Sequence, residues 1–283
     1  MSETGERPVA ATDGSALRRI FCREKVLIGV VHCLPLPGAP AYDGAPFAAI
    51  LDRALSDADA YVSGGMDGVI VENHGDIPFL KPTDIGPETA ACLAVIAERI
   101  RARLSVPLGI NVLANGAIHA LAVAKAAGAA FIRVNQWANA YIANEGFIEG
   151  AAAPALRYRA AIGAKDVAIF ADAHVKHGAH AIVADRPIDE QVRDVVFFHA
   201  DAVIATGSRT GDPATETEIG AIRVASHLPL LVGSGVTPGN VARVLAQAEG
   251  AIVASALKRD GVWWNPVERE RVRALLEAAS PQR

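Results

Sequence analysis

The chain has 283 residues, 51% of them hydrophobic and 20% charged, and a formal net charge of −4. That apolar content supports a large core and excludes intrinsic disorder, while the slight acidity argues against nucleic acid as a partner. Three cysteines, Cys22, Cys33 and Cys92, with no paired spacing argue against a disulfide scaffold or a structural zinc and fit a reducing cytoplasm.

Residues 1–20 hold no apolar stretch long enough for a signal peptide and read as a loose arm. No apolar run approaches the roughly 20 residues that cross a bilayer. A cytoplasmic chain is expected, and peripheral contact with a membrane stays compatible with it. Residues 21–283 show no linker and no composition break, so one domain is expected there.

Short β-branched runs follow in order: Val26–Val31, Gly68–Val71, Leu108–Val112, Phe131–Val134, Val167–Phe170, Ala202–Ala205, Leu230–Val232 and Ala251–Val253. Longer Ala-rich segments alternate with them: Pro46–Val62, Pro87–Arg103, Gly116–Ala127, Ala151–Ile162, Pro187–His199, Ala214–Ser226, Pro238–Gln247 and Pro266–Ala279. Several open on proline, whose missing N–H costs nothing in a first turn. Several close on glycine, which suits the left-handed residue after a helix. Strands that are apolar throughout and alternate with helices indicate a parallel α/β fold. Eight such units in this length favour a single (β/α)₈ TIM barrel, which takes about 250 residues, over an open doubly wound sheet.

Catalytic groups of such barrels lie past the C-terminal ends of the strands. The polar residues found there are His32; Glu72, Asn73 and His74; Asn111 and Asn115; Arg133 and Asn135; Asp172, His174, Lys176 and His177; Thr206 and Arg209; Ser234; and Ser255 and Lys258. The opposite strand ends are bland. This one-sided placement points to a site on the C-terminal face.

Gly233-Ser234-Gly235-Val236-Thr237 follows the seventh run and precedes a helical segment. Glycines let backbone N–H groups approach a phosphate, and Ser255 with Lys258 completes a cradle after the eighth run. The plainer reading is a tight turn with Thr237 capping the next helix. Glu72 and Asp172 are the acid–base candidates. Period 2 puts Asp172 on one face with Ala168 and Phe170, and His32 with Ile28 and Val30. The plainer reading of either carboxylate is a pair with Arg133 or Lys176. His174, His177 and His180, with His32 and Glu72, offer a weaker divalent-metal reading, and no cofactor is expected. Lys176 is a weaker candidate for imine chemistry.

The segments Ile28–Gly38, Val71–Phe79, Gly109–Leu113, Phe131–Val134, Val175–His177 and Val232–Val236 together resemble the BtpA/SgcQ family, over nearly the whole chain from Val26. The resemblance implies a TIM barrel of the ribulose-phosphate-binding type. It implies roles for His32, Glu72, Asn73, Asn111, Arg133, Asp172, Lys176 and His177, with Gly233–Gly235 for phosphate. The family takes its name from a cyanobacterial protein linked to photosystem I accumulation, peripheral to the thylakoid membrane. Other members sit among sugar-metabolism genes and are labelled nucleosidases. The chain departs from the pattern at Asn115-Gly116, where Asn-Asp is expected, and His174 is not part of that pattern.

The expected function is therefore an enzyme acting on a small phosphorylated sugar or ribosyl compound, by isomerisation, lyase or nucleosidase chemistry. Glu72 or Asp172 would move the proton, His177 would be the partner acid, and Arg133 and Lys176 would hold the oxyanion. His32, Asn73, Asn111, Asn135 and Thr206 would contact substrate. Gly233, Ser234, Gly235, Val236, Ser255 and Lys258 would hold its phosphate. Assembly as a homo-oligomer is compatible with this reading. The rival is a non-catalytic assembly factor, peripheral to a membrane complex.

Overall fold

The computed structural model describes residues 15–207 and 213–283; Arg209 lies outside them. Eight parallel strands close into a barrel: β1 (Val26–His32), β2 (Gly68–Glu72), β3 (Leu108–Asn111), β4 (Phe131–Val134), β7 (Ala168–Asp172), β8 (Ala202–Ala205), β9 (Leu230–Gly233) and β10 (Gly250–Val253). All eight expected runs are strands, in the expected order around the ring. The open-sheet alternative is excluded because β1 pairs with both β2 and β10.

Side chains alternate across this sheet, so each strand feeds two cores. Ile28, Val30, Ile70, Ala168, Phe170, Ile204, Leu231 and Ile252 fill the barrel interior, where the Phe131 and Phe170 rings stack at 4.5 Å. The outward residues, such as Val31, Val69, Ile110 and Val232, pack against the helices. Those helices are α2 (Phe47–Gly64), α3 (Pro87–Arg103), α4 (Ala117–Ala127), α5 (Ala152–Ala161), α6 (Ile188–Phe197), α7 (Glu216–Ala225), α8 (Val241–Gln247) and α9 (Arg269–Ala279). Gly65 and Gly128 close α2 and α4 in the left-handed region, at φ of 106° and 69°. No helix of the described residues is long and apolar enough to cross a membrane.

Two features depart from the sequence reading. The expected loose arm does not extend over residues 16–20. Ala16–Phe21 form a short helix, α1, whose Leu17 and Phe21 join the interior core. Phe21 lies 5.7 Å from the Phe131 ring and so closes the N-terminal end of the barrel. A Cβ on Gly68 would fall 2.6 Å from the Phe21 ring, so only glycine admits this plug. The second departure is an antiparallel hairpin, β5 (Ala140–Ala143) and β6 (Gly146–Glu149), inserted between β4 and α5. Asn115 holds its base: the side chain accepts the Gln136 N–H and donates to the carbonyls of Gln136 and Glu149.

Candidate active site at the C-terminal mouth

The strand register sets His32 against Glu72, Glu72 against Asn111, and Asn111 against Arg133. Paired residues of neighbouring strands face the same side, so β1 to β4 present a continuous polar row just above the apolar interior.

Glu72 is the hub of this row. Its Oε2 accepts from Asn111 Nδ2 at 2.5 Å, and its Oε1 lies 2.9 Å from His74 Nδ1 and 3.7 Å from His32 Nε2. The imidazoles of His32 and His74 stack at 4.3 Å, and the Trp263 ring lies edge-on to both. His32 Nδ1 lies 3.2 Å from the Trp263 carbonyl. Burial alone would raise the Glu72 pKa, but the His74 hydrogen bond and the charges of His74, His32 and Arg133 outweigh it and hold the group well below the usual carboxylate range. Glu72 is an anion in this setting. Burial, then the neighbouring His74 and Lys258 charges, push His32 well below the ordinary imidazole value, so its ring is neutral.

Asp172 ends β7 on the predicted inward face. Its two oxygens accept from Arg133 Nε and Nη2, both at 3.0 Å, and Oδ2 also accepts from Asn135 Nδ2 at 3.2 Å. Burial opposes the Arg133 charge, but the Asp172 carboxylate more than restores it, so the guanidinium stays cationic. Asp172 therefore orients Arg133, with both of its oxygens engaged. Lys176 follows on the same loop, with Nζ 2.5 Å from Ser234 Oγ. Burial, then the Arg133 charge, pulls its pKa down to about 8.

A cavity of about 270 Å³ joins these groups. Glu72, His32, His74 and Arg133 form one wall; Lys176, Ser234–Thr237, Ser255 and Ala256 form the other. A neighbouring cavity of about 370 Å³ shares Glu72, His74, Arg133 and Lys176, and is roofed by the hairpin through Tyr141, Ala143, Asn144 and Glu145. Asn111 and Asn135 line this second cavity, and each has a buried side-chain oxygen with no hydrogen-bond partner.

Several expected site residues do other work. Lys258 is fully buried and ion-paired with Asp57 of α2 at 3.6 Å, so it clamps α2 to the C-terminal segment and is not part of a phosphate cradle. Thr206 is also fully buried. Its hydroxyl accepts the Lys176 N–H and donates to the His174 carbonyl, which shapes the lysine loop from beneath. Asn73 is buried against Asp76 and both backbone groups of Leu113. Gly233 ends β9 under the cavity, where an added Cβ would meet Ile204 at 3.1 Å; it serves packing. His177 sits exposed at φ 64° and lines the hairpin cavity but not the one holding Ser234. His174 and His180 stack at 3.7 Å on that loop, apart from His32 and Glu72, so the expected histidine set does not converge.

The loop itself also differs from expectation. Asn240 accepts the Thr237 N–H and donates to the Gly235 carbonyl, tying the segment into a turn, so α8 starts at Val241 and not at Pro238. Any anion there meets loop backbone, with Ser234 at φ 98° and Gly235 at φ 65° turning the chain over the cavity. Trp263 escaped the sequence reading because its loop lies beyond the last strand and carries no motif. His74 stood in the strand-end set without a role; only the fold brings it onto Glu72.

Comparison with known proteins shows the family and the fold of the chain. An uncharacterized protein of Archaeoglobus fulgidus is 43% identical over 256 residues, covering 90% of this chain and 99% of that one. The Photosystem I biogenesis protein BtpA of Synechocystis is 38% identical over 264 residues, covering 93% and 90%. Among solved structures, thiamine phosphate pyrophosphorylase from Pyrococcus furiosus shares the fold with a TM-score of 0.56 at 12% identity, over 92% of this chain and 96% of that one. The model of the BtpA family matches residues 23–281, and the chain belongs to that family.

Proposed function

We propose that the chain is an enzyme acting on a small phosphorylated sugar or ribosyl compound by acid–base chemistry at the mouth of the barrel. One observation carries this reading: a single cavity of about 270 Å³ holds an ionised carboxylate on one wall and a lysine with a glycine–serine turn on the other. The lysine and turn suit a phosphate group. Glu72 then faces the sugar end, with Arg133 placed to hold negative charge that develops on an oxygen. Asp172, engaged by Arg133 and Asn135, keeps the guanidinium aimed. Isomerisation through an enediol and cleavage at the anomeric carbon both use this set. The thiamine phosphate enzyme, by its name, also handles a phosphorylated compound on this fold.

The name of the Synechocystis relative favours a second reading, an assembly factor. A thermal-shift screen against sugar phosphates and nucleotides separates the two, because a ligand that binds the native state stabilises it. The enzyme reading expects a hit that Lys176→Met and Gly235→Asn remove; asparagine tolerates the left-handed backbone there and fills the anion space. On the compound so found, Glu72→Gln should lower turnover by about 10²–10⁴-fold and leave phosphate binding largely intact. A folded chain that binds no phosphorylated compound favours the assembly factor.

A further inference from the structure

We propose that His32, Glu72 and His74 bind a divalent first-row metal ion, such as zinc, manganese or ferrous iron. This rests on the cavity described above and changes the part of Glu72 in it, from base to ligand.

The Trp263 carbonyl can only accept, so its 3.2 Å contact with His32 Nδ1 places a hydrogen on that nitrogen. A hydrogen held on Nδ1 leaves Nε2 as the ring nitrogen whose lone pair can reach a metal. That lone pair faces Glu72 Oε1 at 3.7 Å. At 3.7 Å the two atoms are too far apart for a good hydrogen bond, whether or not the ring is protonated. A cation between them resolves this. A ring nitrogen of His74 completes the set, and the three ligand atoms lie within 4.8 Å of one another; it is the one such group among the described residues.

The spacing fits. Metal–ligand bonds of about 2.1 Å put neighbouring ligand atoms about 3.0 Å apart in octahedral and about 3.4 Å apart in tetrahedral geometry. The two contacts of Glu72 Oε1, 2.9 and 3.7 Å, bracket those values. Outer partners are in place as well. Asn111 steadies the second Glu72 oxygen and the Trp263 carbonyl fixes the His32 ring. Ligating groups are commonly held this way. Three protein ligands leave positions open, and all three residues line the cavity, so substrate oxygens can fill them. The remaining charges permit it: Asp172 offsets Arg133, and an anionic substrate would offset Lys176 and the ion.

The test uses the full chain without a histidine tag, stripped with chelator and titrated with zinc, manganese and cobalt by calorimetry. One ion per chain is expected. His32→Ala, His74→Gln and Glu72→Gln should each weaken binding by more than about 100-fold, beyond what the loss of an outer partner does. His174→Ala should leave it unchanged. Cobalt should give visible absorption bands that the three ligand variants lose, and circular dichroism confirms that each variant is folded. Folded protein that binds no ion, or binding that His32→Ala and His74→Gln leave intact, overturns the proposal. Sulfate binding measured in the same samples separates the two readings. An anion without a metal removes only this inference, whereas a metal without an anion removes the phosphate reading.

Discussion

Arg133 and Asp172 meet through two parallel hydrogen bonds of 3.0 Å, across neighbouring strands β4 and β7, with the carboxylate fully out of water. Removing one partner of such a pair leaves an uncompensated buried charge, which costs about 3–5 kcal/mol. Asp172→Asn should therefore lower unfolding free energy by that amount in urea. The double variant Arg133→Met/Asp172→Asn should recover part of it. If Asp172→Asn instead keeps full stability and loses only turnover, Asp172 is a base after all.

Lys176 makes anion binding depend on pH. Burial and Arg133 lower its pKa to about 8, while Glu72 and Asp172 pull the other way and Ser234 sits on its Nζ. Its ammonium form dominates below that value and is lost above it. Sulfate affinity, for an anion that does not itself titrate in this range, should fall as pH rises from 7 to 9.5. Lys176→Arg should flatten the curve because a guanidinium stays charged. Equal affinity at both ends in the wild type would remove Lys176 from the anion site.

Lys258 offers a contrast, because sequence position alone put it in the cradle. It lies buried against Asp57. Lys258→Met should reduce stability yet leave sulfate affinity unchanged within about twofold, roughly 0.4 kcal/mol. A large loss of affinity in a folded variant would return it to the site.

The barrel was legible because its strands are short apolar runs that alternate with longer helical segments. The inward placement of His32 and Asp172 was legible because period 2 along a strand fixes which face a residue takes, whereas Glu72 and Arg133 were read from their position near strand ends. Asn73, Thr206 and Lys258 were misread because strand-end position does not say whether a side chain turns toward the cavity or back into the wall. The plug was missed because its helix is only 6 residues long, with Leu17, Ile20 and Phe21 its large apolar residues, too short for a periodic signal. The hairpin was missed because Ala140–Glu149 mixes small, polar and apolar residues, and Asn139 and Asn144-Glu145-Gly146 read as loop.

The plug predicts a stability effect with no functional echo. Phe21 fills the end of the barrel opposite the site. Phe21→Ala should cost about 3–5 kcal/mol by creating a cavity. Sulfate and metal affinities of the folded variant, measured by calorimetry, should match the wild type. A parallel loss of binding would show that the two ends are coupled.

Asn115 grips both feet of the hairpin, at Gln136 and at Glu149, from the barrel side. What lies between those feet roofs a cavity and belongs to no ladder of the barrel. The roof is thus an exchangeable cassette on a fixed socket. The mouth is built from two separable parts: the strands alone hold Glu72 and Arg133, and the hairpin adds a wall to the space above them.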